Sequence, residues 1–337
     1  MFAPLHYRIP LESSELYGKK IFHYTDFAGL NGILESNSIW AYRYDATRND
    51  EDEIFTARGV LKKYIENKLP EFFKGSESEF NLNNMVHSPE TLMYQNLLDT
   101  CEGVFITSFC CSEIPEVQKN GKLSFWERYG DYSIEFDYLD ICNLLKQERT
   151  IFLYEATVFK NVIYLYEPLN DPEAIGLLNM IVTLLSQWIR DIKRMKGTNF
   201  YYEGYRLFQG AYVDIITRLK NNGFYEEEEV RIAYVPRKHL GNNFQKYLAS
   251  EALEFAKKSE VVASTKLVKP ILGEKKKYID MFSWLNEHQL KLPIKRIIVG
   301  PGEDKIEREN KLRTLLESLN LAIPVTVSNI PLRKQKK

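Results

Sequence analysis

Four consecutive glutamates, Glu226 to Glu229, run directly into the apolar segment Val230-Arg231-Ile232-Ala233-Tyr234-Val235, which Pro236 closes. No other stretch restricts the fold so tightly. β-Branched and aromatic residues fit a pleated, half-buried surface, so the segment reads as a strand with an acidic beginning. Successive strand side chains alternate between faces, which puts Glu227, Glu229 and Arg231 on one face and Glu228, Val230 and Ile232 on the other. A register shift of one residue makes Glu226 and Glu228 the inward pair instead. Two carboxylates on one face repel, and one pKa rises unless water or the guanidinium offsets the repulsion. Such a pair marks a candidate substrate or cation site. The competing reading is an exposed edge strand whose charges discourage aggregation.

The rest of the chain frames this strand. Lys20 to Thr25 reads as a buried strand, and Asp26 caps a helix through Leu30, Ile33 and Leu34, whose spacing is amphipathic. Asn37 and Ser38 end the helix before a second strand at Ile39 to Tyr42. A charged loop, Asp45 to Asp52, leads to a helix that stops before Pro70. Gly103 to Phe109 has strand character, Ser112 to Lys122 reads as a loop, Ser124 to Gly130 as a helical turn, and Ser133 to Phe136 as a strand. Strands within Ile151 to Tyr166 precede two long helices, Pro172 to Lys196 and Asn199 to Lys220. Ile294 to Pro301, a helix around Leu312 to Leu319, and Val325 to Ser328 form a strand, helix, strand unit.

With 337 residues, 44% of them hydrophobic, the chain can bury a large core. No repeat and no Gly-, Ser- or Pro-rich linker divides it. One elaborated domain over residues 1–337 is expected, α+β in class, with a mixed or antiparallel central sheet and helical insertions at about 54–100 and 171–220. The 45 basic and 46 acidic side chains cancel, so no global field recruits nucleic acid. Arg190, Lys193, Arg194 and Lys196, then Lys275 to Lys277, then the tail from Arg333 to Lys337, read as solvated faces. The four cysteines form no C-x-x-C pair and the five histidines are scattered, which indicates neither a disulfide framework nor a zinc site. Ala174 to Ile189 is interrupted by Asn179, Thr183, Ser186 and Gln187, a core helix rather than a membrane span. The N-terminus has no basic region followed by an apolar core, so a cytoplasmic location without membrane contact is expected.

Three constellations can carry chemistry. His23-Tyr24-Thr25 ends a strand beside the helix N-terminus that Asp26 opens, where backbone N–H groups suit an anionic or ribose-bearing ligand. Asn49-Asp50-Glu51-Asp52-Glu53 is an acid-dense loop that either favours the dipole of the following helix or meets Glu227 and Glu229 to hold Mg²⁺ or Mn²⁺. Thr107-Ser108 lies on a middle strand. Beyond the next loop Trp126 and Tyr129, three residues apart on a helical turn, offer an aromatic face for stacking. No G-x-G-x-x-G, P-loop lysine, G-x-S-x-G or H-E-x-x-H is present.

Phe22-His23-Tyr24-Thr25, Asn49 to Glu53, Thr107-Ser108-Phe109, Phe125 to Gly130, Glu227 to Arg231, Ile297 to Pro301 and Ser328 to Arg333 occur in the order seen in a bacterial family, domain of unknown function 2971. The chain resembles that family over nearly its whole length. Glu51 stands where the family often has proline after Asn-Asp. Members often sit near mobile elements and phage-defence genes, which implies a defence or toxin role and a defence-system partner protein. A remoter resemblance is to ADP-ribosyltransferases, which carry a first-strand His or Arg, a middle-strand Ser, Thr or Tyr, and a catalytic glutamate opening a later strand, often as E-x-E or Q-x-E. This resemblance implies that His23, with Tyr24, Thr25 and Ser108, holds NAD, that Glu229 stabilises the oxocarbenium-like transition state, and that Glu227 orients a nucleic acid or protein acceptor. Trp126 or Tyr129 would stack on nicotinamide. Two alternatives remain: a metal-dependent nuclease using Asp50, Glu53, Glu227 and Glu229, or a non-catalytic nucleotide-sensing or protein-binding module whose acids and Arg231 form an ion-pair network.

Overall fold

The computed structural model describes residues 13–44, 53–73, 97, 101–152, 154–166, 169–195, 199–237, 266–271 and 277–331; the side chains of 188–195 and 199–207 are outside this description. Asp50 and its neighbours 45–52, the basic side chains from Arg190 to Lys196, Lys275, Lys276 and the tail beyond 331 therefore lie outside the described residues, as do most of 74–100.

The chain is α+β. Strands β1 (Lys20–Thr25) and β2 (Ile39–Arg43) flank helix α1 (Phe27–Ser36). Asp26 accepts the Gly29 N–H at 2.7 Å, a cap worth about 1 kcal/mol, and Asn37 ends the helix in the left-handed region at φ 52°. Helix α2 (Glu53–Lys68) follows, then β3 (Phe105–Cys110), the short helices α3 (Pro115–Asn120) and α4 (Leu123–Tyr129), and β4 (Tyr132–Asp137). The expected loop from Ser112 to Lys122 thus contains a helix, started by Pro115 at its first turn. Helix α5 (Tyr138–Ile151), absent from the sequence reading, packs Tyr138, Ile141, Cys142 and Leu145 into the core. Strands β5 (Tyr154–Asn161) and β6 (Ile163–Leu165) lead to helices α6 (Pro172–Met195) and α7 (Asn199–Arg218) and strand β7 (Leu219–Asn221). The chain continues through β8 (Glu229–Pro236), β9 (Val268–Pro270), β10 (Lys277–Met281), β11 (Arg296–Val299), α8 (Lys305–Ser318) and β12 (Val325–Val327).

Among the described residues ten strands form one mixed sheet. Its pairings are antiparallel except β11 with β12, the two strands of the expected strand, helix, strand unit, which are parallel, and β6 pairs β7 in a separate parallel ribbon. Strand β3 is the branch point. One edge pairs with β8 from Phe105↔Tyr234 to Cys110↔Glu229. The other edge meets β1 at Phe22↔Cys110 and β2 at Tyr42↔Ile106 and Arg43↔Phe105. Thr107, Ser108 and Phe109 lie in the fork, with no ladder partner on that edge among the described residues.

Both faces are covered. Ile21, Phe109, Ile232 and Ile297 belong to the main core, with α1, α5 and α8. On the opposite face Val158, Ala233 and Val235 pack under α2, α6 and α7, while Phe22, Tyr24, Cys110 and Ile298 pack under Phe125 and Trp126 of α4. These two packed patches leave a polar seam between them.

The acidic strand differs from its expected form. Asn222–Glu227 is a 3₁₀ turn, Glu228 takes the left-handed conformation at φ 45°, and β8 begins only at Glu229. It is no edge strand: β8 lies between β3 and β5 with all eight residues buried.

Candidate functional site

The seam holds a dense ionic cluster. By strand alternation Glu229 and Arg231 share a face, opposite Cys110 and Ser108 of β3. Glu227 joins that face through the left-handed step at Glu228 rather than through strand alternation. The Lys220 ammonium, from β7, lies 2.7 Å from Glu53, 2.9 Å from Glu227 and 3.0 Å from Glu229. Arg231 donates Nε to Glu229 Oε1 at 2.8 Å, Nη2 to Glu229 Oε2 and to Glu53 Oε2 at 2.9 Å each, and Nη1 to the Thr217 carbonyl at 2.9 Å. Glu227 also accepts from Tyr129 Oη and Arg128 Nη1 of α4, each at 3.2 Å. Counting Arg128, three carboxylates face three cations.

These partners set the protonation states. Burial alone would raise the Glu229 pKa, but the charges of Arg231 and Lys220 and the hydrogen bonds from Arg231 and Ser108 hold it down at about 2. The neighbouring cations thus outweigh the repulsion between paired carboxylates. Lys220 rises above its usual value because Glu229, Glu53 and Glu227 together overcome its burial and the opposing charge of Arg231. Burial, then the charge of Glu227, also pushes the Tyr129 phenol up.

Ser108 is exposed, and its hydroxyl donates to Glu229 Oε1 at 2.5 Å. Its carbonyl points into the fork and takes a hydrogen bond from His23 Nδ1 at 3.0 Å. A carbonyl only accepts, so Nδ1 carries the proton. Burial lowers the His23 pKa and the bond to Ser108 opposes that. A neutral ring so held turns the Nε2 lone pair away as an acceptor. His23 projects to the main-core face, 5.6 Å from the Phe109 ring, whereas Ser108 and Glu229 project to the seam. The three residues meet through Ser108, its backbone on one side and its hydroxyl on the other.

The remaining predicted residues are placed as follows. Tyr24 is buried against Phe125 and Trp126, and its hydroxyl accepts the Lys122 N–H at 2.8 Å. Thr25 ends β1 beside α1, where its Oγ1 would lie 2.1 Å from a Cβ at Gly29. Trp126 is buried, bonded through Nε1 to the Asn120 carbonyl at 3.2 Å and packed against Gly121 and Gly300. Gly130, at φ 125°, lets α4 approach the Thr25–Asp26 backbone so closely that a Cβ there would lie 2.5 Å away. Tyr129 is exposed at the seam. Glu53 belongs to the cluster.

The sequence reading missed Lys220, the centre of the cluster, and the half-buried rings of Trp40, Tyr42 and Tyr278 on the same sheet face as Ser108. A basic residue directly before a turn-and-acid run was the available signal for Lys220. A cleft of about 300 Å³, lined by Lys19, Cys111, Glu113, Tyr164, Glu228 and Glu229 among others, opens at the end of β8. Among the described residues no helix is long and apolar enough to cross a membrane. No protein-family model, curated protein or solved structure matches the chain.

Proposed function

We propose that the fork and seam form the site of an ADP-ribosyltransferase-type enzyme that uses NAD to modify a nucleic acid or protein acceptor. The observation that carries this reading is the link from His23 through Ser108 to Glu229, residues of three separate strands joined at the point where β1 and β2 part. In such a reaction the bond from ribose C1′ to the nicotinamide nitrogen breaks, and nicotinamide leaves with the bonding pair. The acceptor's lone pair then bonds to C1′ and its proton passes to a base or to water. Positive charge develops on the ribose, and a preorganised carboxylate beside it lowers the barrier. Glu229 fits that role because it stays ionised at physiological pH. His23, on the opposite face of the sheet, contributes only through its bond to the Ser108 carbonyl, which fixes the strand that carries the Ser108 hydroxyl, and Glu227, bonded to Tyr129, is assigned to the acceptor.

A second reading has its own observation: both Glu229 oxygens already accept hydrogen bonds from Ser108, Arg231 and Lys220. That favours a non-catalytic nucleotide-sensing or protein-binding module built around a structural ion-pair network. The metal-nuclease alternative draws on Glu53, Glu227 and Glu229, which do converge, but the Lys220 ammonium sits where a divalent ion would bind. Nicotinamide release from NAD by the purified chain, with and without acceptors, separates the readings: release supports the transferase, and NAD binding without release supports the module.

A further inference from the structure

We propose that Trp40, backed by Tyr278, is the stacking platform for the planar heteroaromatic ring of a nucleotide held at the sheet fork, an assignment that rests on the NAD reading and names its ring-binding residue. The Trp40 and Tyr278 rings, from β2 and β10, lie with centroids 4.3 Å apart at 32°, and Tyr42 meets Trp40 edge-on at 6.3 Å and 76°. Ile39 and Ala41 turn into the main core, so Trp40 and Tyr42 turn to the seam face.

Register sets the platform beside the polar groups. Strands β2 and β3 pair last at Tyr42↔Ile106, so Trp40, two residues further along β2, stands at the mouth of the fork on the face that Ser108 shares, and Ser108 pairs with Arg231 on its other edge. Thr107 Oγ1 donates to the Trp40 carbonyl at 2.9 Å and holds β2 at the fork below its last ladder pair. Asp280, on β10, pairs with Trp40.

Asp280 and Trp40 on one side of the fork, with Ser108 and Arg231 on the other and Glu229 bonded to both of the latter, combine on one face a π-surface, a hydroxyl and an ionised glutamate. Those groups match a ring joined to a sugar better than they match an apolar peptide. The indole is fixed by sheet pairing and backed by a phenol, so it offers contact area with little entropy left to lose. Trp126, the aromatic nearest in sequence to the seam residues Arg128 and Tyr129, is buried and cannot serve.

The test titrates wild type, Trp40→Ala and Trp40→Phe with NAD, nicotinamide mononucleotide and adenosine monophosphate by calorimetry, alongside nicotinamide release. Trp40→Ala is expected to weaken NAD binding on the order of 10-fold, as for loss of one stacked ring, while Trp40→Phe keeps most of the affinity. Trp40→Leu, which keeps apolar bulk without a ring face, repeats the comparison should Trp40→Ala melt early. The mononucleotide whose binding falls with that of NAD identifies the stacked ring. Binding unchanged in Trp40→Ala and Trp40→Leu, or no binding of any probe to wild type, overturns the platform. NAD held through Trp40 yet never cleaved leaves the platform standing and defeats the transferase reading; cleavage with unchanged KM in Trp40→Ala does the reverse.

Discussion

Ser108 on β3 donates its hydroxyl to Glu229 on β8 at 2.5 Å, across 121 positions of sequence. The exposed end of that bond faces solvent, and its buried end joins Arg231 and Lys220. A ligand that engages Ser108 therefore acts on a carboxylate whose charge is already fixed.

Lys220 neutralises three carboxylates from one point, so Lys220→Met should cost the most stability of any substitution in the seam. Removing one partner of a buried ion pair typically costs about 3–5 kcal/mol. Urea unfolding checks this. A loss below about 1 kcal/mol would show the cluster to be far more hydrated than its burial indicates.

The turn at Glu228 brings Glu227 and Glu229 to the same side. At φ 45° a glycine is as comfortable as glutamate, and a β-branched residue is strained. Glu228→Gly should leave the melting temperature within a degree or two of wild type or raise it, whereas Glu228→Ile should cost roughly 1–2 kcal/mol. Equal melting of the two variants would contradict the left-handed assignment.

Stability should depend on pH through Glu229. Its folded pKa of about 2 lies below the ordinary 4.5, so the contribution is fully present above pH 4.5 and is lost as pH falls from there towards 2. The contribution is on the order of 3 kcal/mol. Melting curves of wild type and Glu229→Gln should differ by a constant amount near neutrality and converge in acid. A gap that widens below pH 4 would reverse the sign of the shift.

Much of this was legible locally and some was not. Asp26, Asn37, Asp171 and Pro172 announce helix ends through their own chemistry, and the structure places them there. Helix α5 is marked in the sequence only by the helical spacing of Tyr138, Ile141, Cys142 and Leu145, since Asp137 and Asp140 are also turn formers. The start of β8 was misplaced because nothing in a run of four glutamates distinguishes the left-handed one. Lys220, Glu53 and the ring pair of Trp40 with Tyr278 depend on pairings between distant strands and helices, which no local pattern encodes.

Divalent ions should not matter to the seam. With the Lys220 ammonium between Glu53, Glu227 and Glu229, wild type should show no Mg²⁺ or Mn²⁺ binding that depends on these residues, and chelator should leave activity unchanged. Calorimetric Mg²⁺ binding abolished by Glu53→Gln would restore the nuclease alternative.

The most direct measurement is nicotinamide release from NAD by wild type, Ser108→Ala, Glu229→Gln and Glu228→Gln, assayed well below each variant's melting temperature. Because Glu229 anchors the ion cluster, Glu229→Gln is expected to melt earlier as well as to lose activity, so Ser108→Ala, on the exposed side, is the cleaner probe. The account predicts chelator-insensitive release by wild type, a fall of about 10²-fold or more in kcat for Glu229→Gln, a smaller fall for Ser108→Ala, and near-normal turnover for Glu228→Gln. No release by wild type, or equal losses in Glu228→Gln and Glu229→Gln, would contradict it and leave the seam as a structural ion-pair network.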